Sequence, residues 1–313
     1  MPIKFGLHNN TFLPVTGKRE DIYPELRDRA QWLEAHGFTY LSVMDHLWQI
    51  PGAGAMDDPF LESWMTLAAL ADATSRLQLT TMVTSVGYRN PALLAKMVTT
   101  LDIISGGRAI LGMGGGWYEA EYQGYGYAFP KPGVRLRQLR EAVQIIKAMW
   151  ERPRATYEGK YFVVRDAVME PKPVQRPRPR VLIGGGGEQV TLRITAQEAD
   201  MWNVPGAPPD VFARKVGILK GYVREAARDI RDIELTKTDR LCLAPTREKA
   251  EDKWKARGAA PAPYRGIVGT PDDAVAALKG LEGLGMQGIF LSVPNADHET
   301  RELLAKEVLP AFR

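Results

Sequence analysis

Asp45-His46-Leu47-Trp48 follows the apolar run Tyr40 to Met44 and sets a carboxylate, an imidazole and an indole at one strand end. An imidazole with its ordinary pKa near neutrality can supply or remove a proton at physiological pH. A histidine in this position can equally be a packed or capping residue, so His46 alone defines no reaction. Two glycine clusters stand at further strand ends, Gly112-Met113-Gly114-Gly115-Gly116-Trp117, with Glu119 and Glu121 close behind, and Gly184-Gly185-Gly186-Gly187. The second opens a helix, and glycines there expose backbone N–H groups at the positive end of the helix dipole, which suits a phosphate. A tight strand-to-helix turn would use the same glycines. Thr84-Ser85-Val86 and Asp200-Met201-Trp202-Asn203 complete the polar strand ends.

Other chemistries fail on spacing. A GxGxxG starting at Gly112 would need glycine where Trp117 stands, and one starting at Gly114 meets Glu119, which disfavours a dinucleotide-binding Rossmann domain. P-loop, HExxH and GxSxG patterns are missing, and the 4 histidines are too dispersed to suggest a metal site. Cys242 is the single cysteine, so no intrachain disulfide or CxxC site can form, and its apolar neighbours predict an inert buried thiol.

The elements that must position these groups alternate between short apolar strands and amphipathic helices. Strands are expected to begin near Ile3, Tyr40, Leu77, Ala109, Val181, Met201, Ile233 and Gly288. Helices are expected over Ile22 to Ala35, Glu62 to Thr74, Ala92 to Ile104, Val134 to Trp150, Gln189 to Ala199, Val211 to Arg228, Thr270 to Leu284 and Glu299 to Val308. Such alternation builds a parallel sheet, and eight strand–helix units fit a single (β/α)₈ barrel spanning residues 1–313. The wide gap between the fourth and fifth strands holds an insertion at about 151–180. It reads as a hairpin turning at Glu158-Gly159, followed by the Pro-rich Glu170 to Arg180. Arg257 to Gly266 is a second loop excursion.

With 313 residues, 45% hydrophobic and 25% charged, the chain is of ordinary globular composition. A net charge of +4 is too small to argue for nucleic acid. Arg176, Arg178 and Arg180 alternate with Pro177 and Pro179 and read as a solvated linker. Neither a secretory signal nor a membrane span is apparent, so a cytoplasmic protein with no membrane partner is expected.

Taken together, Asp45-His46, Thr84-Ser85-Val86, Ile110 to Trp117 with Glu121-Tyr122, Glu170 to Gln175, and Leu182 to Gly187 followed by Ala199 to Asn203 resemble the bacterial luciferase-like superfamily, and within it the coenzyme F420-dependent oxidoreductases. The resemblance implies a (β/α)₈ TIM barrel with a deazaflavin or flavin in its C-terminal mouth and the cofactor phosphate on Gly185, Gly186 and Gly187. It also implies cofactor contacts from Asp45, His46, Ser85, Val86, Gly112, Met113, Gly114 and Gly184, and a non-proline cis peptide at Ser85-Val86. The implied reaction is hydride transfer between F420 and a small organic substrate, with His46 moving the accompanying proton and Asp45 beside it. Glu119 or Glu121 would be a second acid/base group, with Glu119 as the catalytic candidate, and Trp48 and Trp117 would wall the substrate. Trp117 stands where some sugar-phosphate-oxidising relatives carry a glutamate, which weakens a glucose-6-phosphate assignment. An FMN-dependent monooxygenase of the same superfamily is the first alternative and a non-catalytic cofactor-binding barrel the second. A homodimer is in keeping with the resemblance.

Overall fold

The computed structural model describes residues 2–258 and 264–313. Eight parallel strands close on one another: Lys4–Asn9 (β1), Tyr40–Val43 (β2), Gln78–Thr81 (β3), Ala109–Gly114 (β4), Arg180–Gly184 (β5), Met201–Pro205 (β6), Glu234–Leu243 (β7) and Gly288–Ser292 (β8). Neighbours follow chain order, and β1 closes the ring by pairing with both β2 and β8, Leu7 lying opposite Leu41 and Leu291. Each strand begins within one residue of its expected start. The reason is physical: strands buried on both faces are continuous apolar runs bounded by polar breakers, and those boundaries are local.

Helices cover the outside of the barrel. Leu33, Leu67, Leu70, Val98, Ile145, Ile146, Leu219 and Leu278 form part of a continuous buried layer between helices and strands. Helix starts carry the expected caps. Asn90 accepts from the Ala92 amide at 2.9 Å ahead of Pro91–Ile104, and Thr270 and Asp273 form a reciprocal capping box ahead of Pro271–Gly283. The barrel interior is filled by Tyr40, Ile110, Leu182, Met201 and Phe290 with Met82 and Val83 against them, so it is a packed core rather than a pore.

The insertion is a hairpin, Arg154–Glu158 antiparallel to Val163–Val168. Its turn is longer than Glu158-Gly159, because the Gly159 amide donates to the Phe162 carbonyl at 2.9 Å and the Glu141 carboxylate accepts from the amides of Lys160, Tyr161 and Phe162. The Pro-rich run is not a solvated linker. Asp102 accepts from the amides of Val174 at 2.7 Å and Gln175 at 3.0 Å, Arg178 pairs with Asp200 at 2.6 Å, and Arg180 pairs with Glu234 at 2.9 Å. Charge alternation in sequence did not reveal these distant carboxylates. Two short helices, Glu119–Gly124 and Arg247–Ala256, and the strand Ile267–Gly269 on the end of β7 were also not anticipated. Of the second excursion, residues 259–263 lie outside the described residues. Cys242 is buried, and burial pushes its thiol pKa up. Among the described residues no helix is long and apolar enough to cross a membrane.

Candidate active site

A cavity of about 580 Å³ opens at the C-terminal ends of the strands. Its wall takes His8 from β1, Asp45 and His46 after β2, Met82, Val83 and Ser85 after β3, Gly114 to Trp117 at the end of β4, Gly184 and Gly185 from β5, Asn203 and Pro205 from β6, and Thr238 from β7. This is the end where barrel enzymes carry their chemistry. A second cavity of about 480 Å³ lies at the opposite end, where Lys4, Arg178, Arg180, Asp200 and Glu234 line it and pair with one another.

His46 is held from one side. Its Nδ1 lies 2.6 Å from Oε1 of Glu121, and the other Glu121 oxygen accepts from the Leu47 amide at 2.8 Å. The Tyr88 hydroxyl donates to Oε1 of the same carboxylate. Burial first, and the Glu121 carboxylate second, push the Tyr88 hydroxyl pKa far up, so Tyr88 stays protonated. Among the described residues Nε2 of His46 has no hydrogen-bond partner, and the ring is on the cavity wall. Glu121 is fully buried, whereas Glu119 is exposed and accepts from Gln123 at 3.1 Å. Two residues apart on one helix, these carboxylates point to opposite sides, which the 100° step per residue accounts for.

Asp45 is occupied differently. Both its oxygens accept from Arg89, at 2.7 and 3.2 Å, and Arg89 goes on to Glu62 at 2.5 Å and Thr84 at 2.9 Å. Asp45 therefore ties the β2 end to the β3 end, while Nε2 of its neighbour His46 stays open. His8 is a wall residue that sequence reasoning did not single out. Its Nδ1 lies 3.0 Å from the Ser42 hydroxyl, and burial, with His46 adding to it, holds the imidazole pKa down to about 4. His8 is thus neutral at pH 7. Pairing of β1 with β2, which sets His8 opposite Ser42, brings it toward His46.

The floor of the mouth is built around Val83. A Cβ on Gly184 would stand 2.7 Å from Cγ1 of Val83, and one on Gly114 would stand 2.8 Å from its Cγ2. Both strands need glycine there for the valine to sit between them. The non-proline cis peptide is Met82-Val83, not Ser85-Val86. Ser85 is on the wall with its hydroxyl bonded to the Tyr122 hydroxyl, while Val86 packs in the outer core. Gly112 and Met113 lie within β4: a Cβ on Gly112 would meet the Thr81 carbonyl oxygen at 2.0 Å, and Met113 belongs to the outer core. They support the wall without lining it.

In the second glycine run, Gly184 and Gly185 line the cavity, and Gly185 has φ +128°, a conformation open to glycine alone. Gly186 and Gly187 continue toward the helix Thr191–Glu198, with the Gly186 carbonyl accepting from Lys215 at 2.5 Å. Trp117 is 59% exposed at the rim and meets the His46 ring edge-on at 5.7 Å. Trp48 is turned away from the cavity, against Tyr118 and Tyr125 and over Gly124, where a Cβ would approach its ring to 2.2 Å.

The profile of the luciferase-like monooxygenase family matches residues 4–265. An uncharacterized protein of Mycobacterium tuberculosis is 33% identical over 215 residues, 64% of this chain and 74% of that protein. The F420-dependent glucose-6-phosphate dehydrogenase of Rhodococcus erythropolis is 28% identical over 324 residues, 92% of this chain and 94% of that enzyme. The pyrimidine monooxygenase RutA of Bradyrhizobium sp. is 30% identical over 229 residues, 72% of this chain and 62% of that enzyme. In fold, the coenzyme F420-dependent tetrahydromethanopterin reductase of Methanopyrus kandleri superposes with a TM-score of 0.81 at 22% identity, each chain covered to 100%. With its closed parallel barrel and a profile match over most of its length, the chain belongs to the luciferase-like monooxygenase family of oxidoreductases and monooxygenases.

Proposed function

We propose that the protein is an F420-dependent oxidoreductase that transfers a hydride between the deazaflavin and a small organic substrate, with His46 moving the accompanying proton. The observation that carries this reading is a single cavity with a glycine-built floor and cradle on one side and an imidazole with a free Nε2 on the other. The residues fit such a group. Gly114, Gly184 and Gly185 bring bare backbone to the cavity wall, the first two seating Val83 between them, and the backbone of Gly185, Gly186 and Gly187 ahead of Thr191 suits a phosphate. Val83 and Ser85 would bear on the ring system. When bound, a deazaflavin supplies the carbon that gives or accepts the hydride.

The chain's own part is orientation and proton management. In the oxidative direction a substrate hydroxyl gives its proton to Nε2 of His46 as its carbon gives up a hydride, leaving a carbonyl; the reductive direction returns both. Neutral His8, Ser85, Asn203 and Thr238 offer hydrogen bonds without adding charge beside the reacting atoms. Trp117 offers the substrate an apolar wall next to His46. Titration of the purified protein with F420 and with FMN tests the cofactor, and optical reduction of F420 with a panel of alcohols tests the reaction. F420 binding with turnover is expected. FMN binding with none for F420 would move the protein to the flavin-dependent monooxygenases, as the relationship to RutA allows.

A further inference from the structure

We infer that Glu121 is a positioning residue that fixes His46 as the Nδ1–H tautomer and so presents Nε2 to the cavity as a proton acceptor. The inference rests on the proposed role of His46 and specifies how the ring is set for it. An ionised carboxylate accepts hydrogen bonds and cannot donate them, so a ring nitrogen 2.6 Å from Oε1 must carry the proton. Three donors converge on this one buried carboxylate: His46 Nδ1–H, the Leu47 amide and the Tyr88 hydroxyl. The Leu47 bond is with the backbone of the residue next to His46, so the carboxylate grips the loop and the ring together. Glu121 is absent from the cavity wall and its two oxygens are taken by these donors. It is therefore not itself the second acid/base group and acts through His46. When His46 takes a proton on Nε2, the imidazolium faces a full negative charge across Nδ1, an arrangement that favours the charged ring in the transition state.

Substitution by glutamine sharpens the test because it keeps the shape and changes the donor pattern. An amide has one acceptor oxygen. If that oxygen serves Leu47, the amide NH₂ faces Nδ1 of His46 and the oxygen of Tyr88, and both can accept. The Leu47 amide, the new NH₂ and Nδ1 of His46 are then satisfied, but only with the His46 proton moved to Nε2 and the Tyr88 O–H deprived of its acceptor.

The experiment is ¹⁵N NMR of the imidazole nitrogens of His46, recorded on the full-length protein without cofactor at a pH where the ring is neutral. Wild type is expected to show protonated Nδ1 and unprotonated Nε2, and Glu121→Gln the reverse. In parallel, Glu121→Gln is expected to lose about 10²-fold or more in kcat, with F420 affinity unchanged, as a histidine locked in the wrong tautomer does. A wild-type spectrum with the proton on Nε2 overturns the inference, and that spectrum decides even where the variant does not fold. A reversed tautomer in Glu121→Gln with unchanged kcat also overturns it. An Nδ1–H tautomer in a protein that neither binds nor turns over F420 sustains the positioning and sinks the proposed function instead.

Discussion

The two ends of this barrel hold similar materials and use them in opposite ways. At the N-terminal end Glu234 accepts from Lys4 at 2.7 Å, from Arg180 at 2.9 Å and from the Tyr40 hydroxyl, while Arg178 is spent on Asp200. Each of these charges has met its opposite within the chain. At the C-terminal mouth the carboxylates of Asp45 and Glu121 are equally saturated, but they hold Arg89 and His46 so that one imidazole nitrogen and a run of glycine backbone stay open. The difference teaches that a cavity and a set of charged residues do not make a site. What separates a stabilising plug from a reactive mouth is spare hydrogen-bonding capacity on a group held rigid by others.

That contrast can be broken most directly at His46. His46→Ala is expected to reduce turnover of F420 by about 10²-fold or more while cofactor affinity holds, since it removes a general acid/base and leaves Glu121 with the Leu47 and Tyr88 donors. Turnover at the wild-type level with the true substrate would erase the distinction between the two ends. The opposite response is expected at the plug. Glu234→Ala strands Lys4, Arg180 and Tyr40 and is expected to cost about 3 kcal/mol in denaturant unfolding, the low end for a broken buried pair because Lys4 is partly exposed, with F420 affinity unchanged. Burial alone would raise the Glu234 pKa, but the donors from Lys4, Tyr40 and Arg180 together bring it below the usual 4.5. The stability it contributes is therefore present above pH 4.5 and lost as pH falls through the lowered value, so the gap between wild type and variant should narrow in denaturant curves taken at falling pH.

A smaller effect is expected at the floor of the mouth. Gly184→Ala drives a methyl into Val83 and should cost about 1–3 kcal/mol of stability together with a weaker hold on cofactor. Unaltered affinity by titration would remove Val83 from the binding surface. The smallest effect belongs to His8. Its depressed pKa means that the unfolded chain binds a proton between about 6.5 and 4 that the folded protein does not. Stability should thus decline as pH drops from 7 to 5, and His8→Leu should flatten that decline in pH-dependent denaturant curves.

Much of this molecule was legible in one sequence because its units are local. Strand starts at Tyr40, Ala109, Met201 and Gly288 are marked by apolar runs and breakers and fall where expected. Asp45, His46, Ser85, Gly114 and Trp117 are wall residues in the structure for the same reason: a residue just past a barrel strand has few other places to be. What could not be read depends on closure or on side-chain geometry. Thr81 to Val86 holds neither proline nor glycine, so nothing local singles out Met82-Val83 over Ser85-Val86. The choice between Glu119 and Glu121 was within reach, because helical periodicity makes one face in when the other faces out. The partners of Arg178 and Arg180 lie 22 and 54 residues away and become visible only in three dimensions.

The seating of Val83 between Gly114 and Gly184 has a consequence for how this mouth can change. Three positions at the ends of three neighbouring strands share one volume, so enlargement at either glycine is costly until the valine shrinks. Val83→Ala comes first, and only afterwards does alanine become tolerable at position 114 or 184. Among descendants of such a chain these positions should drift as a linked trio and in that order, leaving a trace of covariation where each position alone would look immovable.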